Sequence, residues 1–228
     1  MRASCQILSL LTALVTAGGV QGETLRIAVA ANFKPALESI SAPFERDTGI
    51  RVTLSSASTG VLAAQITHGA PFDLFFAADR DTPMSLARAS GDAFCYALGR
   101  LALAGGTPRD LARPGITIAI ANPVTAPYGR AAMQVLQGRA PAAGQTILRG
   151  NNAAQAYQFW HSGGADLAIV PLSIAPAGSA LVPADWYAEI AQYAVVLKRG
   201  DAVSRYLNWF ESATVRSLIT DAGYATCP

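Results

Sequence analysis

Histidine is nearly missing from this chain: His68 and His161 are the only two in 228 residues. Nucleophilic and acid–base catalysis lean on imidazole, so its scarcity argues against most hydrolytic mechanisms. The sequence also lacks H-E-x-x-H, C-x-x-C, G-x-S-x-G, a Walker lysine loop and G-x-G-x-x-G. His161, Ser162 and Asp166 supply the residue types of a triad, but all fall in one helix-to-strand turn, whereas triads gather partners from separate elements. They read as a loop, and His68, beside Gly69, reads as the end of a helix.

Charge is sparse too. Charged residues make up 14% of the chain and the formal net charge is +2, so there is no basic footprint for nucleic acid and no polybasic patch for a membrane. The polar turns offer amides and hydroxyls without clustered carboxylates or imidazoles, which disfavours a metal-cation site and implies no cofactor. The one leading apolar stretch, Ile7–Val15, follows Arg2 and gives way to small residues ending Val20-Gln21-Gly22. That pattern predicts a secretory signal over residues 1–22, cleaved near Gly22, because a membrane anchor needs about 20 apolar residues. Of three cysteines, Cys5 precedes the apolar run and does not fit a lipid anchor. Cys95 and Cys227 then allow a single pairing, expected as a disulfide in an oxidising compartment, with two separate buried thiols as the alternative.

What is present is a repeated grammar of apolar strand, polar turn and amphipathic helix, within a chain that is 51% hydrophobic. The stretch from Ser55 to Asp79 shows it best. Arg51-Val52-Thr53-Leu54 runs into Ser58-Thr59-Gly60, a helix follows to Gly69, and Leu74-Phe75-Phe76-Ala77 is again a strand. The first N–H groups of a helix lack partners and carry the positive end of its dipole, so an anion fits there. Ser58 and Thr59 add hydroxyls, and Gly60 would let the backbone come close to a ligand; an ordinary N-cap is the plainer reading. Similar turns occur at Asn32, read as the N-cap of a helix whose inner face is Phe33, Leu37, Ile40 and Phe44, and at Asn122–Gly129 and Gly150-Asn151-Asn152. Asp79 and Asp81 read as cap and turn residues before a helix at Thr82–Ala89.

Alternating strands and helices imply right-handed βαβ units and a mostly parallel sheet, with ligands beyond the carboxyl ends of the strands. Residues 93–104 read as one strand crossing between lobes and Tyr193–Lys198 as the return. The expectation is an α/β chain with two lobes joined by two crossing strands as a hinge: lobe 1 discontinuous over 23–98 and 195–228, lobe 2 over 99–194, and a small-molecule cleft between them.

Ala28-Val29-Ala30-Ala31-Asn32-Phe33, Ser55–Ile66, Gly69–Asp79, Asn122-Pro123 with Ala126-Pro127-Tyr128-Gly129, and Asp185-Trp186-Tyr187 resemble the periplasmic molybdate-binding proteins of ABC importers across nearly the whole mature chain. The resemblance implies a type II periplasmic-binding-protein fold, mixed sheets flanked by helices, enclosing molybdate or tungstate between two hinged lobes. It implies a periplasmic, monomeric receptor serving a membrane permease. Carried over by motif, the ligand contacts are Ala31, Asn32, Ser58, Thr59, Tyr128 and Ala153. Asn32 and Thr59 would give side-chain and backbone donors, Tyr128 and Ala153 mainly backbone N–H. Some relatives add a tyrosine hydroxyl after the strand ending here at Val170; this chain has Pro171, leaving Tyr128 to compensate.

The chemistry is consistent with this. A dianion fully deprotonated at neutral pH needs donors only, whereas phosphate, which carries a proton, calls for a carboxylate acceptor that these turns lack. Sulfate passes the same donor test. On this reading Asn32→Ala weakens binding, and Thr59→Val weakens it while barely changing stability. The alternatives are the same fold selecting another tetrahedral oxyanion such as sulfate, an oxyanion sensor without transport, and an exported hydrolase using Ser58 or Ser162, for which no nearby base is evident.

Overall fold

Alternation of side chains along each strand builds the core. In the computed structural model, which describes residues 23–90, 92–138 and 142–228, strand β1 (Thr24–Ala30) sends Leu25, Ile27 and Val29 to one face and Ala28 to the other. Strands β3 (Leu74–Phe76) and β10 (Ile190–Val196) repeat the pattern, with Leu74, Phe76, Ala194 and Val196 on the first face and Phe75 and Val195 on the second. A sheet apolar on both faces needs helices on both sides. Helix α1 (Lys34–Thr48) covers the first face with Leu37, Ile40 and Phe44, as its periodicity predicts, and α6 (Asp201–Phe210) and α7 (Ala213–Asp221) join it. Burying three such side chains contributes about 1.5–3 kcal/mol each. Helix α2 (Thr59–Thr67) and α3 (Asp81–Ser90) cover the other.

The first sheet has the order β2-β1-β3-β10-β4, with β2 at Arg51–Ala57 and β4 at Ala93–Gly99. The second repeats it as β7-β6-β8-β5-β9, where β5 is Leu101–Ala104, β6 Thr117–Ala121, β7 Thr146–Gly150, β8 Leu167–Pro171 and β9 Ala180–Leu181. Helices α4 (Pro127–Gln137) and α5 (Ala153–His161) pack on its opposite faces.

Three expectations need correction. The sheets are evenly mixed instead of mostly parallel: each has two parallel and two antiparallel pairings, since strands that leave and re-enter a lobe run against its parallel core. Residues 93–104 form two strands, one in each sheet, broken at Arg100. The return strand begins earlier than Tyr193, because Ile190 already pairs with Gly99 in the first sheet.

Cys95 and Cys227 are bonded, and the tail beside them pairs with β4 through Leu98 and Ala225, which exchange hydrogen bonds of 2.8 and 2.9 Å. Asp166 Oδ2 accepts from the Thr117 N–H and His68 lies at the end of α2 against Ala64 O, so both are structural. The expected signal over 1–22 lies outside the described residues. Among those residues no helix is long and apolar enough to cross a membrane.

Candidate anion-binding site

Strand ends and helix starts from both lobes meet at one small cavity. Its walls are Ala30, Ala31, Asn32, Ser58, Thr59 and Ala78 from the first lobe and Ala126, Pro127, Tyr128, Asn152 and Ala153 from the second. All six residues carried over by motif are therefore together, each at most 7% exposed. No lining residue is charged.

The parallel β-strands end at this edge, which is why the helix starts gather there. Ser58 is the N-cap of α2 and Thr59 its first residue; Pro127 and Tyr128 open α4; Asn152 caps α5 and Ala153 begins it. First-turn N–H groups have no acceptor within their own helix, so Thr59, Tyr128 and Ala153 offer donors backed by the helix dipoles. Gly129 lets α4 approach β6: a Cβ there would lie 2.4 Å from Ala121 O. Asn152 Oδ1 accepts from the Gln155 N–H at 3.0 Å and holds the start of α5.

Individual roles differ from the expectation in several places. Ala31 lines the cavity, but its N–H donates to Ala57 O at 3.0 Å, so it supplies wall and no donor. Asn32 is not the helix cap, which is Phe33. Its side-chain donors are also committed, to Gln192 Oε1 at 2.7 Å and Tyr224 Oη at 3.0 Å. Its backbone N–H has no acceptor among the described residues. Gly60 serves the opposite lobe instead of a ligand: its N–H donates to Thr125 O at 2.9 Å, and a Cβ there would come within 3.1 Å of that oxygen.

Thr59 Oγ1 accepts from the Ala78 N–H at 3.0 Å, which leaves its own hydrogen to donate. Ser58 Oγ is the informative atom. It is buried and, among the described residues, stands as the buried side-chain oxygen or nitrogen with no hydrogen-bond partner. Left unpaired, such a group costs about 1–3 kcal/mol, and its hydroxyl is free to pair with whatever enters the cavity.

Pro171 is not among the lining residues, and Tyr128 does not make up for it by hydroxyl. Tyr128 Oη accepts from Gln192 Nε2 at 3.1 Å, and burial, then the neighbouring Tyr224, pushes its pKa well up, so it stays a neutral phenol. Ser173, just past Pro171, donates to Asn32 O at 3.1 Å and ties the lobes together. Gln192, Tyr224 and Ser173 form a supporting layer that pattern reading missed. Only Gln192 carried a signal, as the lone polar residue within the apolar run of β10.

The sequence matches the family of bacterial extracellular solute-binding proteins over residues 25–225. The chain belongs to this family. Among its relatives, the molybdate-binding protein ModA of Azotobacter vinelandii is 36% identical, with 90% of each chain covered. That of Rhodobacter capsulatus is 34% identical, with 99% of this chain and 97% of the relative covered. The solved Azotobacter vinelandii periplasmic molybdate-binding protein superposes with a TM-score of 0.76 at 31% identity, covering 90% of this chain and all of that one. As a solute-binding protein, the chain needs a cavity that holds its ligand and no reacting group.

Proposed function

We propose that this chain is the extracytoplasmic receptor of an ABC importer that closes on molybdate, and on tungstate as its near-isostere, and delivers it to a membrane permease. The observation that carries this reading is the uncharged, donor-rich cavity between the lobes, with the unpartnered Ser58 hydroxyl in its wall. The names of the relatives at 34% and 36% identity support the same ligand.

In this mechanism the anion accepts from the N–H groups of Asn32 and Thr59 and the hydroxyls of Ser58 and Thr59 on one lobe, and from the N–H groups of Tyr128 and Ala153 on the other. Donors on separate rigid bodies engage together only when the lobes are closed, so ligand binding favours closure. Helix termini neutralise the dianion without the mutual repulsion of clustered lysines.

Calorimetric titration of ligand-stripped protein with molybdate, tungstate and sulfate tests the assignment. Tight binding of the first two and weak binding of sulfate is expected, because the donor set suits all three and cavity size must discriminate. Preference for sulfate would reassign the ligand, and no heat with any of them would reject the reading.

A further inference from the structure

The strand that returns the chain to the first sheet buries one amide that the anion cavity does not use. Gln192 is 0% exposed and sits in β10 where the pairing with β4 shifts register. Its Oε1 accepts from Asn32 Nδ2 at 2.7 Å and lies 3.1 Å from the Tyr96 hydroxyl, whose hydrogen is shared with Ala77 O at 3.0 Å. Its Nε2 donates to Tyr128 Oη at 3.1 Å.

Asn32 follows β1 in the first lobe, and Tyr128 opens α4 on the second. One side chain therefore grips two residues whose backbones line the cavity from opposite sides. The grip needs an acceptor and a donor in a single planar group, which an amide supplies. The neighbouring crossing strand makes room for it: a Cβ on Gly99 would lie 2.1 Å from Tyr128 Oη and 3.0 Å from Gln192 Nε2.

We propose that Gln192 is a positioning residue for anion binding, holding Asn32 and Tyr128 in register across the hinge so that donors from both lobes converge. The inference rests on the oxyanion-binding reading above. Gln192 is not a wall of the cavity, so its effect runs through the two residues it holds.

Molybdate titrations of wild type, Gln192→Leu, Tyr128→Phe, the double variant, and Gln192→Glu with and without Tyr128→Phe test it. Gln192→Leu keeps the volume and loses both contacts; affinity falls about 10- to 100-fold. Tyr128→Phe weakens binding less in the Gln192→Leu background than in wild type, because the bond it removes is already gone. Gln192→Glu adds a pH profile, and the part of it that runs through the bond to Tyr128, unlike plain charge repulsion, shrinks when Tyr128→Phe is added. Protonated, a buried carboxyl offers one donor and one acceptor as the amide does; ionised, it donates nothing and repels the dianion. Its affinity therefore climbs toward wild type between about pH 8 and about pH 5.5, while that of wild type stays nearly level.

Should Gln192→Leu fail to fold, the pH profiles of folded Gln192→Glu with and without Tyr128→Phe decide: a smaller pH effect with Tyr128→Phe present supports the inference, and an equal one overturns it. A Gln192→Glu profile parallel to wild type, or equal affinity in Gln192→Leu, overturns the inference alone. A wild type that binds no oxyanion overturns the functional reading and this inference with it.

Discussion

Asp79 and Arg130 meet across the cleft, Oδ2 to Nη2 at 2.9 Å. Asp79 ends the segment after β3 in the first lobe, where it also accepts from the Thr82 N–H at 3.1 Å, and Arg130 lies in the first turns of α4 in the second. With the Gly60 to Thr125 and Ser173 to Asn32 hydrogen bonds, this ion pair joins the two lobes. Arg130→Gln should weaken molybdate binding modestly, about 2- to 5-fold, because Arg130 is half exposed and solvent screens the pair. The loss should shrink as salt is raised. Titrations at low and high ionic strength check both; a loss that does not depend on salt would mean Arg130 acts by packing alone.

Two adjacent hydroxyls in the cavity wall should respond in opposite ways. Ser58 Oγ has no partner, so Ser58→Ala removes a buried unsatisfied group and should leave the ligand-free protein as stable or up to about 1 kcal/mol more stable. It should nonetheless weaken molybdate binding about 10- to 100-fold by deleting a donor to a charged ligand. Thr59→Val weakens binding too, but it also strands the Ala78 N–H and should cost about 1–3 kcal/mol of stability. The expectation that this change would spare stability therefore fails on the geometry. Thermal unfolding without ligand, paired with calorimetry, separates the two variants.

Much of this was legible locally. Ser58-Thr59 after a β-branched run, and Ala153 after two asparagines, marked helix starts because capping chemistry is read within a few residues. The closing apolar strand shows why the rest was not: Gln192 reads as an interruption in the sequence, which puts the start of the run at Tyr193, whereas the strand starts at Ile190. Its burial becomes tolerable only through Asn32, Tyr96 and Tyr128, and Asn32 stands 160 residues away in sequence. Tyr224 was equally invisible, since a tyrosine after Gly223 in a terminal tail gives no hint that it meets Asn32 from 192 residues away. Short-range rules located the donors, and long-range contacts decide which of their atoms are free.

The Cys95–Cys227 bond closes a separation of 132 residues and anchors the tail that carries Tyr224. Tyr224 Oη accepts from Asn32 Nδ2 and donates to Asn32 O at 2.8 Å, so the bond supports the site as well as the fold. Cys227→Ser should lower the unfolding free energy by about 4–5 kcal/mol on the chain-entropy view. It should also weaken molybdate binding while the remaining folded protein keeps its secondary structure. Denaturant melts and titrations under non-reducing conditions check this; unchanged affinity would show that the tail stays seated without its bond.

High pH should unfold this protein through its tyrosines. Burial, the largest cause in each case, pushes the phenols of Tyr96, Tyr128, Tyr206 and Tyr224 above the ordinary value of 10.0. In the unfolded chain they ionise near that ordinary value, so the unfolded state loses protons first as pH rises. The stability they contribute is therefore fully present below about pH 10 and drains away above it, by up to about 1.4 kcal/mol per pH unit for each phenol. Unfolding free energies should be level in this respect from neutrality to about pH 9 and fall steeply beyond about pH 10. Phenolate absorbance from these four tyrosines should appear together with loss of structure. Four phenols titrating near pH 10 in a protein that remains folded would show that they are wetter than the structure places them.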